Sequence, residues 1–180
     1  MPRRIARTTK SGGRGGAEEP TLGMPITIPR IFSGGQTGAD RGALEWAIRR
    51  DVPYGGWCPK GRRAEDGTIP AKFQLIETPS AEYRQRTEWN VRHSDATVIF
   101  TQTALLEGGS KLTARFAAKH GKPCLHLPIT ADAANVLTTF LAEHQPKVLN
   151  IAGQRGSKAP ELSAMVGAVL DEVFFLPSRG

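Results

Sequence analysis

Cysteine is scarce in this chain. Its 180 residues hold two, Cys58 and Cys124, far apart and with no C-x-x-C pair. Two thiols cannot complete a zinc site alone, so both are expected to be reduced thiols of a cytoplasmic protein. The four histidines, His93, His120, His126 and His144, show no ligand spacing, and no metal site is expected from them. No apolar stretch approaches the roughly 20 residues of a membrane span. The N-terminus carries arginines with no apolar core behind them, so no secretory signal is expected. Aromatic residues make up 7%, and no basic stripe is interleaved with them. That pattern does not point to nucleic acid. The formal net charge of +7 suits a smaller anionic ligand.

Three chemical signatures are missing as well. No G-x-G-x-x-G turn announces a dinucleotide, and no G-x-x-x-x-G-K-[ST] announces a P-loop. No G-x-S-x-G elbow is present, which argues against an α/β-hydrolase.

What the chain does have is two glycine-rich turns. Ser33-Gly34-Gly35-Gln36-Thr37-Gly38-Ala39-Asp40 follows one short apolar run, and Glu107-Gly108-Gly109-Ser110-Lys111-Leu112-Thr113 follows another. Each reads as a strand entering a helix. A helix start offers unpaired N–H groups and the positive end of the peptide dipole. Two such turns on one sheet edge are expected to hold a phosphate from two sides.

Residues 1–25 are rich in Gly and Arg and lack a face to bury; they read as a disordered basic tail, with Met24 as a candidate start. Residues 26–180 read as one ligand-binding domain. Apolar strands are expected at 28–33, 96–100, 123–127 and 147–151, with a short one near Trp57. Helices are expected at 40–50, 80–93, 111–120 and 132–144, and a last one opens at Pro160. Residues 58–71 read as a polar, irregular excursion whose Lys60, Arg62 and Arg63 are placed to close over an anion. Alternating β and α segments with apolar strands predict an α/β fold with a mainly parallel sheet covered on both faces. Ligands of such sheets sit beyond the carboxyl ends of the strands. Both turns fall there, and so does Asn150 to Ser157 after the last strand.

The stretch Gly34 to Leu44 resembles the signature of the putative molybdenum carrier family, grouped with molybdenum cofactor carrier proteins and, more distantly, with LOG and DprA-like Rossmann folds. Three further segments match: Gly56 to Gly67 continuing to Ile69-Pro70; Arg86 to Val91 followed by Ser94 to Phe100; and Leu149 to Gly153 with Arg155, Ser157 and Pro160. The likeness spans nearly all of residues 28–175. It implies a Rossmann-like three-layer α/β/α sandwich, a homo-oligomer, and a carrier of molybdenum cofactor. That cofactor (molybdopterin) is a pterin with a dithiolene-held metal and a terminal phosphate. A molybdoenzyme recipient is implied with it. The chain departs from the LOG enzymes, which place a catalytic glutamate after their glycine turn. Phe116 and Ala117 occupy that region here, and Gln154 stands where a proline is common.

The expected ligand set follows. From the first turn come Gly34, Gly35, Gln36, Thr37, Gly38 and Asp40; from the second, Gly108, Gly109, Ser110 and Thr113. Lys60 and Arg155 supply charge. Three readings stand side by side: a carrier, a nucleotide-processing phosphoribohydrolase-like enzyme with Glu88 and Arg86 as its catalytic pair, and a sensor of a nucleotide or other phosphate ester.

Overall fold

The computed structural model describes residues 25–176. The basic tail expected at 1–25 lies, apart from Pro25, outside the described residues, as do residues 177–180. Five parallel strands form the main sheet: β1 (Arg30–Phe32), β2 (Tyr54–Gly55), β7 (Ala96–Thr101), β8 (Cys124–Pro128) and β9 (Val148–Gly153), in the order β2-β1-β9-β7-β8. All six residues of β7 are buried, which requires cover on both of its faces. Helices α1 (Ala39–Arg49) and α4 (Ala133–His144) pack on α5 (Leu162–Phe174), and α2 (Tyr83–Arg92) packs on α3 (Gly108–Lys119). The larger core joins Ile31, Val98, Phe100, Leu149 and Ile151 of the sheet to Trp46, Leu137, Leu162 and Val166 of the helices. A smaller one joins Val91 of α2 to Phe116 and Ala117 of α3. The result is the parallel, doubly covered α/β sheet that the alternation of segments predicts, in the Rossmann-like arrangement that the resemblance implies.

The strand order carries a further point. Counted from β9, then β1, β2, β7 and β8, the order becomes 3-2-1-4-5, that of a dinucleotide-binding sheet without its last strand. The strand that would come first sits at the C-terminal end of this chain. The topological switch point therefore lies between β9 and β7, and the loops after those two strands flank it.

The excursion at 58–71 is more ordered than its composition predicts. Strands β3 (Trp57–Cys58) and β6 (Ile76–Glu77) pair in parallel, and β4 (Arg63–Ala64) and β5 (Gly67–Thr68) form a hairpin. Cys58, Ala64, Ile69 and Phe73 pack on Leu44 of α1 as a small core. Arg62 does not reach for a ligand. Its guanidinium donates to the carbonyls of Ile69, Pro70 and Phe73 and so holds its own loop together.

Asp171 locks α5 to α1. Its carboxylate accepts from the indole Nε1 of fully buried Trp46 at 2.8 Å, from Arg50 at 2.8 Å and from Arg49 at 3.2 Å. Burial opposes its charge, but the hydrogen bonds from Arg50 and Trp46 and the arginine charges outweigh it, and the carboxyl titrates below its ordinary range. Asp171→Ala strands the indole N–H and should lower stability by about 1–3 kcal/mol in denaturant unfolding. Because the folded pKa is depressed, this contribution is complete above the unfolded value of about 3.9 and fades as pH falls through the folded one. The gap between wild type and variant should therefore narrow on acidification below about pH 4.

Candidate functional site

A cleft of about 370 Å³ opens at the switch point, between the loops that follow β7 and β9. One wall is the N-terminus of α3. No side chain caps this helix. Among the described residues, no acceptor meets the N–H groups of Gly108 and Gly109. Buried Ser110 and Thr113 complete that wall, and the Thr113 hydroxyl is occupied by the Gly109 carbonyl at 2.9 Å. The helix begins three residues earlier than its apolar spacing predicts, because Ser110 and Lys111 already donate to the Glu107 carbonyl. The glycine pair thus forms the first helical turn itself. Facing it, the loop after β9 brings Arg155, Ser157 and Lys158.

The floor is made by Gln36, Asp40 and Arg86. Arg86 Nη1 donates to Asp40 Oδ2 at 3.2 Å, and the backbone N–H of Gln36 donates to the same oxygen at 3.2 Å. Burial is the largest influence on the Asp40 carboxyl and lifts its pKa above the ordinary value; the Arg86 charge and the Gln36 and Gly34 amides pull it part of the way back. Gln36 Oε1 accepts from the amides of Thr37 at 3.0 Å and Glu65 at 2.9 Å. Its orientation is thereby fixed, and Nε2 is its free end. Among the described residues, two buried donors have no acceptor, Gln36 Nε2 and Arg86 Nε.

The first glycine turn is spent mostly on the fold. Its amides at Gln36, Thr37 and Ala39 already donate to Asp40, to the Gln36 side chain and to the Gln154 carbonyl. At Gly38, with φ of 83°, an added Cβ would lie 2.2 Å from the Gln154 carbonyl oxygen. At Gly35, with φ of 79°, it would press on Leu75 and Ile69. Gly34 lies under Arg86, beside the cleft but not on its lining. The Thr37 hydroxyl donates to Glu65 and accepts the Gly156 amide at 2.9 Å. Of this turn only Gln36 and Asp40 reach the cleft.

Two predicted partners part company. Arg86 and Glu88 are two apart on α2, about 200° around a helix, and only Arg86 faces the cleft. Glu88 accepts from Lys119 at 2.7 Å and pairs with His120 at 2.9 Å, on the side turned to α3. The Lys119 hydrogen bond is the main reason its carboxyl titrates below the usual range. Lys60 is exposed and off the cleft lining, its backbone N–H held by Ser80. Cys58 is fully buried in the small core, and burial raises its thiol pKa, so it offers no thiolate to the cleft.

Spacing alone missed four contributors. Lys158 and Thr87 line the cleft. Tyr83, which the spacing groups with Thr87 and Val91 on one face, lies beside the guanidinium groups of Arg86 and Arg155, 5.7 and 5.9 Å from its ring centroid. Glu65 works from behind. It sits at the tip of the β4–β5 hairpin and accepts from Ser157 N at 2.9 Å and Ser157 Oγ at 2.6 Å, as well as from Thr37. Burial opposes its charge, but those hydrogen bonds and Arg155 prevail and lower its pKa. Its partner Ser157 is 92 residues away in sequence, so no local signal marks it.

The model of the circularly permutated YpsA SLOG family matches residues 31–174. The chain belongs to that family. The match agrees with a sheet whose first strand stands at the C-terminal end. A crystal structure of a putative molybdenum carrier protein from Syntrophus aciditrophicus SB is 48% identical, with 83% of this chain and 96% of that one covered and a TM-score of 0.79. A search of curated proteins found no match. Among the described residues no helix is long and apolar enough to cross a membrane.

Glu65→Ala should free the loop after β9 without emptying the core. Hydrogen exchange at the Gly156 and Ser157 amides should speed by at least about tenfold, while the amides of β7 keep their protection.

Proposed function

We propose that this protein is a carrier of molybdenum cofactor that holds the cofactor's phosphate at the N-terminus of α3. The observation that carries the reading is the pair of unpaired amides at Gly108 and Gly109, beside buried Ser110 and facing Arg155 and Lys158. Helix-end amides, a hydroxyl and two flanking cations make a donor set suited to a phosphate. The likeness to the Syntrophus putative molybdenum carrier supports a molybdenum-bearing ligand, and molybdenum cofactor is one that also carries a phosphate. The cleft volume also lies within the usual range of about 300–1,000 Å³ for small-molecule sites.

The residues present fit the group. Its phosphate meets donors, its ring end meets Gln36, Asp40 and Arg86, and its dithiolene brings its own sulfur, so no cysteine of this chain is needed. When bound, the cofactor supplies the metal chemistry that a recipient molybdoenzyme uses. This chain binds, orients and shields. The hairpin takes part from behind: Glu65 at its tip holds Ser157 of the loop after β9, and that loop lines the cleft. On this reading the protein acts in the cytoplasm and self-associates. The hydrolase reading loses its acid, since Glu88 faces Lys119 and His120.

The test is native mass spectrometry with molybdenum cofactor and with nucleoside monophosphates. Gly109→Val is the variant to compare, because a Cβ there meets open space and leaves the fold unstrained. Wild type should retain one cofactor per chain, Gly109→Val should lose affinity by roughly tenfold or more, and Glu88→Gln should match wild type. Retention or cleavage of a nucleotide alone would replace the carrier reading.

A further inference from the structure

Gln36 is 6% exposed, lines the cleft, and has both side-chain N–H bonds without an acceptor among the described residues. The amide cannot flip to relieve this, because Oε1 already takes two backbone donors. A buried amide donor is costly to leave unmet, so the position suits a ligand that brings an acceptor. Arg86 Nε, on the same floor, asks for one too. Beside them Asp40 is a carboxylate whose charge Arg86 balances. The floor is therefore close to neutral, and a second phosphate gains little there. The α3 end, with free amides, Arg155 and Lys158, is the cationic, anion-binding end. A ligand that satisfies both ends carries a phosphate at one and a neutral ring with an acceptor at the other.

Resting on the phosphate-cleft reading above, we infer that Gln36 and Asp40 are specificity-determining residues that read the amino-oxo edge of a pyrimidine ring, as found in pterin and guanine, and reject adenine. The ring oxygen takes the Gln36 N–H. The adjacent ring N–H and amino group donate to Asp40. Adenine presents an amino donor where the oxygen should be, and donor would face donor.

The test is calorimetric binding to the full chain, with GMP, IMP, AMP, dihydroneopterin phosphate and ribose 5-phosphate as probes. GMP should bind roughly tenfold or more tightly than AMP, with IMP on the GMP side because it keeps the oxygen. The ratio of dihydroneopterin phosphate to GMP tells pterin from guanine as the ring that fits. Gln36→Glu keeps an oxygen for the Thr37 and Glu65 amides and replaces the donor by an acceptor. It should weaken GMP by roughly tenfold and close or reverse the preference over AMP, while weakening ribose 5-phosphate less than GMP. Equal binding of GMP and AMP by wild type overturns the inference and leaves the phosphate site standing; this comparison needs no variant. A preference that survives Gln36→Glu in a folded variant overturns the role of Gln36. Failure of every probe, ribose 5-phosphate included, overturns the phosphate site and the inference with it.

Discussion

The position of β9 governs this molecule. It is the last strand in sequence and the central one in the sheet, paired with β1 on one side and β7 on the other. Without it, β1 with β2 and β7 with β8 are separate two-stranded units, too small to hold together in water. The sheet is thus completed only when residues 148–153 dock. The cleft is completed by the same event, because its two facing loops follow β7 and β9. Fold and site share one closing step. A parallel pairing of such long sequence separation is a slow one to find.

That arrangement explains what could be read from the chain and what could not. The strand at 96–100 and the five helices were legible because apolar residues recur at the spacing each element demands. The parallel, doubly covered sheet followed from their alternation. The beginning of α3 was not legible, since glycines at 108 and 109 look like loop and yet start the helix. Nor was the separate orientation of Arg86 and Glu88, which the 100° step of a helix fixes once α2 is in place. Glu65 was invisible for a different reason: its partners Thr37 and Ser157 lie 28 and 92 residues away.

The two glycine turns look alike in sequence and differ in how their amides are used. In the first, the amides of Gln36, Thr37 and Ala39 are consumed by Asp40, Gln36 and Gln154. In the second, those of Gly108 and Gly109 remain free. Composition cannot tell these cases apart, because the acceptors that fill the first turn come from its own side chains and from the loop after β9. The topology does tell them apart. The first turn follows the strand one place away from the switch, whereas the second follows a strand that borders it.

What the first turn does is prepare the floor. Its amides and the hairpin tip fix Gln36 and Asp40 from behind, and Arg86 closes the charge. The buried pair of Asp40 and Arg86 brings little stability of its own, since desolvation offsets most of its attraction. Its value lies in holding donors and an acceptor in place before anything arrives. Gln36 Nε2 and Arg86 Nε find no acceptor among the described residues. A partner offering acceptors at those positions gains hydrogen bonds there that one without them does not. On the reading proposed above, such a site would discriminate through the donors it leaves open, and the neutral floor would add a limit that the cationic mouth alone does not impose.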